Sequence, residues 1–141
     1  MSSGGSNVMV WQVITSASTA YLSQAEALHA FSPGPGDGGF FTSISSSGEA
    51  NMILWAVPRS GSQVYLYAFA VTQVAAPGWL LIPSGMQAQL TPTPIFTSKP
   101  GPGGAGTWTN ANTNANIVPV VANGKVFVAS SGQLNIFGIL P

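Results

Sequence analysis

The chain has 141 residues, enough for one domain with its own core, and carries only three basic and three acidic side chains, with a formal net charge of zero. Nucleic-acid binding requires a stripe of basic residues and polybasic membrane attachment requires a cluster of them, so the composition argues against both kinds of partner. Cysteine is absent, which excludes disulfides, thiolate zinc sites and a cysteine nucleophile.

The beginning of the chain carries no targeting signal that we recognise. Residues 1–6, Met-Ser-Ser-Gly-Gly-Ser, read as a flexible leader and lack the charged and apolar regions of a signal peptide. No apolar run approaches the roughly 20 residues that a membrane-spanning helix needs. We therefore expect a soluble protein, in a compartment that the sequence does not define.

The distribution of apolar residues predicts an all-β protein. The 17 glycines and 11 prolines interrupt the chain every few positions, and no segment keeps a helical apolar period for three turns. The best helical candidate, 23–27, is so short that we favour a loop or turn there. In chain order, the predicted strands are 8–14, 27–32, 40–46, 52–57, 63–72, 78–83, 117–122, 125–130 and 133–140.

Turn residues define the C-terminal part of the chain most clearly. Asn123-Gly124 is the preferred pair for a two-residue type I′ hairpin, and Gly132 can take positive φ in a second tight turn. Residues 117–140 therefore read as a three-stranded meander. Two other segments are predicted to be irregular: the Pro-Gly-rich stretch 32–39, and a long connection, 86–116, that either crosses a surface in extended form or covers part of a site.

One strand pair recurs three times along the chain. The segment Ala-Leu-His-Ala-Phe at 27–31 is repeated at 65–69 and, more loosely, at 133–137. Each copy follows an apolar strand, centred in turn on Trp11, Trp55 and Phe127. Such repetition indicates a repeat architecture, in which one unit cannot bury its faces alone.

The last copy resembles a known family. Residues 117–128, with an Asn-Gly turn and a Lys-Val-Phe-Val run, and the following Gly-Gln-Leu-Asn-Ile-Phe-Gly at 132–138 resemble the closing blade of a β-propeller of the pyrroloquinoline-quinone-repeat type. The strands of the preceding blade are matched by 41–48, 52–57, 65–69 and 78–81, and those of a still earlier blade by 10–13 and 28–31. The resemblance implies one partial propeller domain, 1–141, of about two and a half blades, with blade pieces at about 8–32, 40–83 and 117–140 and a long loop at 86–116.

Family members close a ring of about six to eight blades, so the resemblance implies a fragment with an incomplete blade at each end. Unpaired sheet edges are templates for another chain. We therefore expect homo-oligomerisation to complete the propeller, with terminal strands of neighbouring copies sharing blades. A homodimer of about five or six blades is preferred, and a homotrimer of about seven to nine is the next candidate. An aggregating, incomplete sheet is the alternative.

His29 is the only histidine and the one candidate for catalysis or metal binding. The repeats place Tyr67 and Asn135 at the matching positions, so they share no metal-binding pattern, and a hydrogen-bonded structural histidine is the simpler interpretation. In the alternative, ring symmetry brings two or three copies of His29 to an axial channel, where they hold a divalent metal. A metal-bound water could then hydrolyse an activated ester or a phosphotriester.

The remaining polar residues identify no reaction. Glu26, Asp37, Glu49 and Arg59 are expected at turns or loops, and the Gly-rich run 101–106 lacks the Lys-Ser/Thr that a phosphate loop needs. Quinone-dependent members of the family use an adjacent cysteine pair and acidic calcium ligands. This chain has no counterpart of either, so the quinone is not expected. The four tryptophans are instead expected to lock blade packing. The sequence thus favours a self-assembling structural or binding module, and leaves enzymatic activity open.

Overall fold

The computed structural model describes residues 8–15, 19–28, 39–48, 50–60, 62–75, 86–108 and 117–138. Within these ranges every regular element is a β-strand, which confirms the all-β class. The strands are β1 (Val8–Thr15), β2 (Ala20–Leu28), β3 (Phe40–Ser47), β4 (Ala50–Ser60), β5 (Gln63–Val64), β6 (Tyr67–Ala75), β7 (Met86–Leu90), β8 (Phe96–Thr97), β9 (Val120–Ala122), β10 (Lys125–Ser130) and β11 (Gln133–Gly138).

The strands form three antiparallel sheets. The first contains β1 and β2, the second has the order β3-β4-β6-β7 with β5 paired to β4 and β8 paired to β6, and the third has the order β11-β10-β9. Apart from the short strands β5 and β8, the strands of each sheet follow one another in chain order, which is the connection pattern of a meander. We refer to them below as the first, middle and last sheet.

Each copy of the repeated strand pair belongs to a different sheet. In the middle sheet β4 pairs with β6 and places Leu54 opposite Phe69, and in the last sheet β10 pairs with β11 and places Phe127 opposite Ile136. In the first sheet Leu28 lies opposite Val8, and the rest of that copy, 29–31, lies outside the described residues. The pairing expected from the second and third copies is confirmed.

Successive side chains of a strand point to opposite faces of its sheet. Both faces of the middle sheet are covered by other parts of the chain. One face packs against Val8 of β1 in a cluster that also contains Phe40, Leu54, Ala56, Phe69 and Leu90. The opposite face packs against β10 in a second cluster formed by Val57, Val64, Leu66, Ala105, Ile117, Val126 and Val128. The three sheets are therefore stacked, with the middle sheet between the other two.

The first sheet differs from the predicted pattern. β2 starts at Ala20 and pairs with β1 along its length, so the stretch 23–27 that was predicted to be a loop or turn is part of a strand. A register shift lies between Val10 and Trp11. Hydrogen bonding to β1 outweighs the weak strand propensity of the Ser, Gln and Glu residues in this stretch.

The segment predicted as one long connection contains two strands. β7 pairs with β6 from Val71 opposite Leu90 to Ala75 opposite Met86, and β8 pairs with the start of β6. Between β5 and β6 the chain is held by Ser98, whose Oγ accepts from Leu66 N at 2.9 Å while its own N donates to Leu66 O at 2.9 Å. The strand predicted at 78–83 lies outside the described residues.

The two predicted turns of the last sheet have the expected backbone conformations. Asn123 and Gly124 have φ values of 50° and 70°, and Gly132 has a φ of 71°. Positive φ at both central residues is what a type I′ turn requires, so the Asn-Gly prediction is confirmed. The meander that the sequence predicted from 117 onward is observed as β9, β10 and β11.

Candidate functional site

The face of the last sheet that points away from the middle sheet is apolar. Val126 and Val128 point toward the core, so the alternate residue Phe127 points outward, together with Val120 and Ile136 directly opposite it. Leu134, paired with Ala129, adds to the same face. Leu134 is 60% exposed and Ile136 is 55% exposed.

Charge is nearly absent from this surface. Lys125 is the only charged residue between positions 117 and 138. Contiguous exposed apolar side chains mark association sites more often than single exposed ones do. We call this surface, formed by Val118, Val120, Phe127, Leu134 and Ile136, the C-face.

The first sheet presents a similar surface at the opposite side of the stack. Val8 and Ile14 are buried, and Gln12 Oε1 accepts a hydrogen bond from Ala88 N at 3.2 Å, which ties β1 to β7. The alternate residues Trp11 and Val13 therefore point outward, away from the middle sheet.

Leu22 lies opposite Val13 and extends this surface onto β2. Val13 is 63% exposed and Leu22 is 57% exposed. No charged residue occurs between positions 8 and 25. We call the surface formed by Trp11, Val13 and Leu22 the N-face.

The two faces resemble the surfaces that already pack inside the chain. The inner side of the first sheet and both sides of the middle sheet pack through valine, leucine and aromatic side chains. The N-face and the C-face carry the same residue types, but all of their side chains except Phe127, which is half-buried, are exposed in the described part of the chain. The arrangement can therefore add a further layer at each end of the stack.

Of the sequence-predicted polar residues, Glu26 and Arg59 lie on strands that the structure describes. His29, Asp37 and Glu49 lie outside the described residues, so the metal and catalytic roles of His29 stay predictions. Glu26 is on β2 and Arg59 is on β4, on strands rather than in the turns expected for them. In the described part of the chain, no group of three or more His, Cys, Asp or Glu side chains could hold a metal ion.

The tryptophans have different environments. Trp55 and Trp108 pack against the second core cluster, as expected for residues that lock sheet packing. Trp11 instead lies on the N-face and is partly exposed. Trp79 lies outside the described residues.

The Gly-rich run 101–106 has a structural role that the sequence did not indicate. Its N–H groups bond internally: Gly104 N and Gly106 N donate to Gly101 O, and Ala105 N donates to Lys99 O at 2.9 Å. These donors are therefore not free for a phosphate. A Cβ added at Gly106 would overlap the side chain of Ser130, so glycine permits this loop to approach the last sheet.

Asn135 anchors the same loop to the last sheet. Its Nδ2 donates to Ala105 O at 3.0 Å, and Gln133 Nε2 donates to Asn135 Oδ1 at 3.2 Å. The repeat alignment places Asn135 at the position of His29 and Tyr67. In the last sheet, Asn135 at this repeat position therefore anchors the loop 101–106 by a hydrogen bond.

Tyr67 is the one described group with a clear shift in its titration. Burial of the phenol raises its pKa above the ordinary value of 10.0, and the nearby phenol of Tyr65 raises that pKa further. The two rings are stacked with centroids 5.9 Å apart. Both causes favour the neutral phenol, which is the form present at physiological pH.

No protein-family model, curated protein or solved structure matches this chain. The resemblance to a quinone-repeat propeller therefore remains a prediction from sequence. Across the described ranges, the structure contains no helix with the length and apolar character needed to cross a lipid bilayer.

Proposed function

We propose that this chain is a self-assembling module whose copies pack end to end, with the N-face of one copy against the C-face of the next. The observation that carries the proposal is the pair of apolar surfaces at the two ends of one stack of sheets, of which only the C-face has a charged residue beside it, Lys125. Covering exposed apolar side chains is favourable by about 25 cal/mol per Å² removed from water. Few charges on either surface oppose the contact.

The contact that we propose joins unlike surfaces. Such a head-to-tail contact leaves one N-face and one C-face uncovered in any open chain of copies, and covers all of them only when the assembly closes into a ring. A ring therefore has one contact more than an open chain of the same number of copies, which makes the ring the more stable product.

The number of sheets favours a dimer. Each described chain contributes three sheets, so two copies supply six and three copies supply nine. Propellers close with typically four to eight blades. We therefore propose a homodimeric six-bladed propeller, with a homotrimer as the next candidate.

A second copy is a better occupant of these faces than a different protein for two reasons. The chain already stacks sheets of this composition twice within itself, through the first and second core clusters. Each copy also supplies both halves of the contact. A polar or charged partner would find few complementary side chains on either face.

A matched pair of isoleucine substitutions tests this proposal. Ile136 on the C-face is 55% exposed, and Ile95, which belongs to neither face, is 57% exposed. We expect Ile136→Glu to yield monomers in sedimentation velocity, because a carboxylate would be buried in the contact. Ile95→Glu should keep the wild-type assembly. Equal behaviour of the two variants would overturn the proposal.

A further inference from the structure

A cavity between the middle and last sheets has the composition of a small-molecule site. Its volume is about 530 Å³, within the range of about 300–1,000 Å³ typical of ligand pockets. Trp55, Phe96 and Phe137 supply aromatic walls, and Ile53, Val121 and Val126 supply aliphatic ones. None of the described side chains that line it is charged.

The aromatic walls come from different sheets and meet at the cavity. The rings of Phe96, on β8, and Phe137, on β11, are in edge-to-face contact with centroids 6.0 Å apart and an interplanar angle of 66°. Trp55, on β4, lies on the same side of the middle sheet, in the second core cluster. Flat aromatic surfaces favour a flat, apolar ligand.

Two neighbouring serines, Ser45 and Ser46, both line the cavity. Regular strand alternation would direct them to opposite faces of β3. The pairing with β4 is interrupted here: Ser45 pairs with Ile53, and the next pair is Ser47 with Ala50. A step of two residues along β3 therefore corresponds to a step of three residues along β4. Asn51, within the irregular stretch of β4, has a φ of 53°. Such bulges twist a strand pair and redirect side chains, and they are frequent beside functional sites.

The hydroxyl of Ser45 has a defined direction of hydrogen bonding. Trp55 Nε1 donates to Ser45 Oγ at 2.9 Å. This bond occupies an acceptor position of the hydroxyl, which keeps its own hydrogen as a donor. The cavity therefore offers an O–H to an acceptor on a ligand, beside the face of an aromatic wall.

We infer that this cavity binds a neutral aromatic compound that carries one hydrogen-bond acceptor, such as an aryl ketone. An apolar ring system fills the space between Trp55, Phe96 and Phe137, and the acceptor takes the hydrogen of Ser45. An anionic ligand is disfavoured because the described residues that line the cavity include no cation to offset desolvation of the charge. The inference is independent of self-assembly, since the lining residues lie between sheets and belong to neither outer face.

Three naphthalene derivatives serve as probes, with binding followed by quenching of tryptophan fluorescence. We expect saturable binding of 2-acetylnaphthalene, whose carbonyl accepts the Ser45 hydrogen. A neutral hydrogen bond contributes about 1 kcal/mol, so 2-ethylnaphthalene should bind about fivefold more weakly. Because its carboxylate would have to lose water without a partner, 2-naphthoate should bind at least about tenfold more weakly than the ketone.

Two neighbouring substitutions locate the site. Ser46→Phe places a ring in the cavity and should weaken 2-acetylnaphthalene binding at least about tenfold, because the space for the ligand is filled. Ser47→Phe, on the next residue, which does not line the cavity, should change the affinity less than about twofold. Equal effects of the two variants, tight binding of 2-naphthoate, or no saturable binding by the wild type would each overturn the inference.

Discussion

Opposite charges introduced on the two outer faces give a sharp test of head-to-tail packing. Val13→Lys places an ammonium group on the N-face, and Leu134→Glu places a carboxylate on the C-face. Each variant alone would bury an unpaired charge at every contact of a ring. In an equimolar mixture, alternating copies would place the two new charges together at one contact and leave the other contact unchanged.

The expected loss of association free energy in a single variant can be worked out from the exposure of Leu134. Burying a leucine side chain completely contributes about 1.5–3 kcal/mol, so covering the 60% that is exposed contributes about 1–2 kcal/mol to association. Desolvating an unpaired carboxylate costs several kcal/mol in addition. At about 1.4 kcal/mol per factor of ten, each single variant should weaken association at least about 1,000-fold.

Sedimentation velocity on each variant and on their mixture is the assay, with circular dichroism to verify that both variants remain folded. We expect monomers from each variant alone and assembled species from the mixture. The double variant, with both charges in one chain, should also assemble. If the folded mixture stays monomeric, or if single variants assemble like the wild type, the reasoning about unlike faces is refuted.

Three further predictions concern stability. Because the pKa of Tyr67 is raised in the folded protein, its contribution to folding stability is complete below the ordinary pKa of 10.0 and is lost as pH rises through the raised value. Urea midpoints should therefore fall above pH 10, and Tyr67→Phe should reduce that fall. An unchanged pH dependence in the variant would exclude Tyr67 as its source. Gly106→Ala should lower the free energy of unfolding by about 2 kcal/mol or more, because its φ of 100° and the overlap with Ser130 both oppose a Cβ; urea titration measures this, and a neutral result would contradict the described docking of the loop. Ser43 Oγ is buried and has no hydrogen-bond partner among the described residues, so Ser43→Ala should raise the free energy of unfolding by about 1 kcal/mol, seen as a higher thermal midpoint; a lower midpoint would show that the hydroxyl is bonded.

Local signals in the sequence predicted the parts of the fold that depend on neighbouring residues. The Asn123-Gly124 pair fixes its turn because few other residues accept positive φ at both positions. β10 begins directly after it, at Lys125 as predicted. The recurring strand pairs could be recognised because the two strands of each pair lie close together in sequence.

Other parts of the fold depend on contacts that the sequence does not reveal. β2 and β7 contain many Ser, Gln and Ala residues, which have weak strand propensity, and pairing to β1 and β6 makes them strands. Val126 and Phe127 are equally apolar in sequence, but only the stacking of sheets determines which one faces the core. The cavity was missed for the same reason, since its walls come from strands of two sheets that are far apart in sequence and from one interruption in register.

The molar mass of the wild-type assembly in solution tests the central claim most directly. Sedimentation equilibrium over a range of micromolar concentrations should give one discrete species at twice the chain mass of 14.4 kDa, because a closed ring leaves no face to which a further copy can add. A folded monomer at every concentration would contradict the account. Growth of the mass without limit as concentration rises would show that the end-to-end contact forms but does not close.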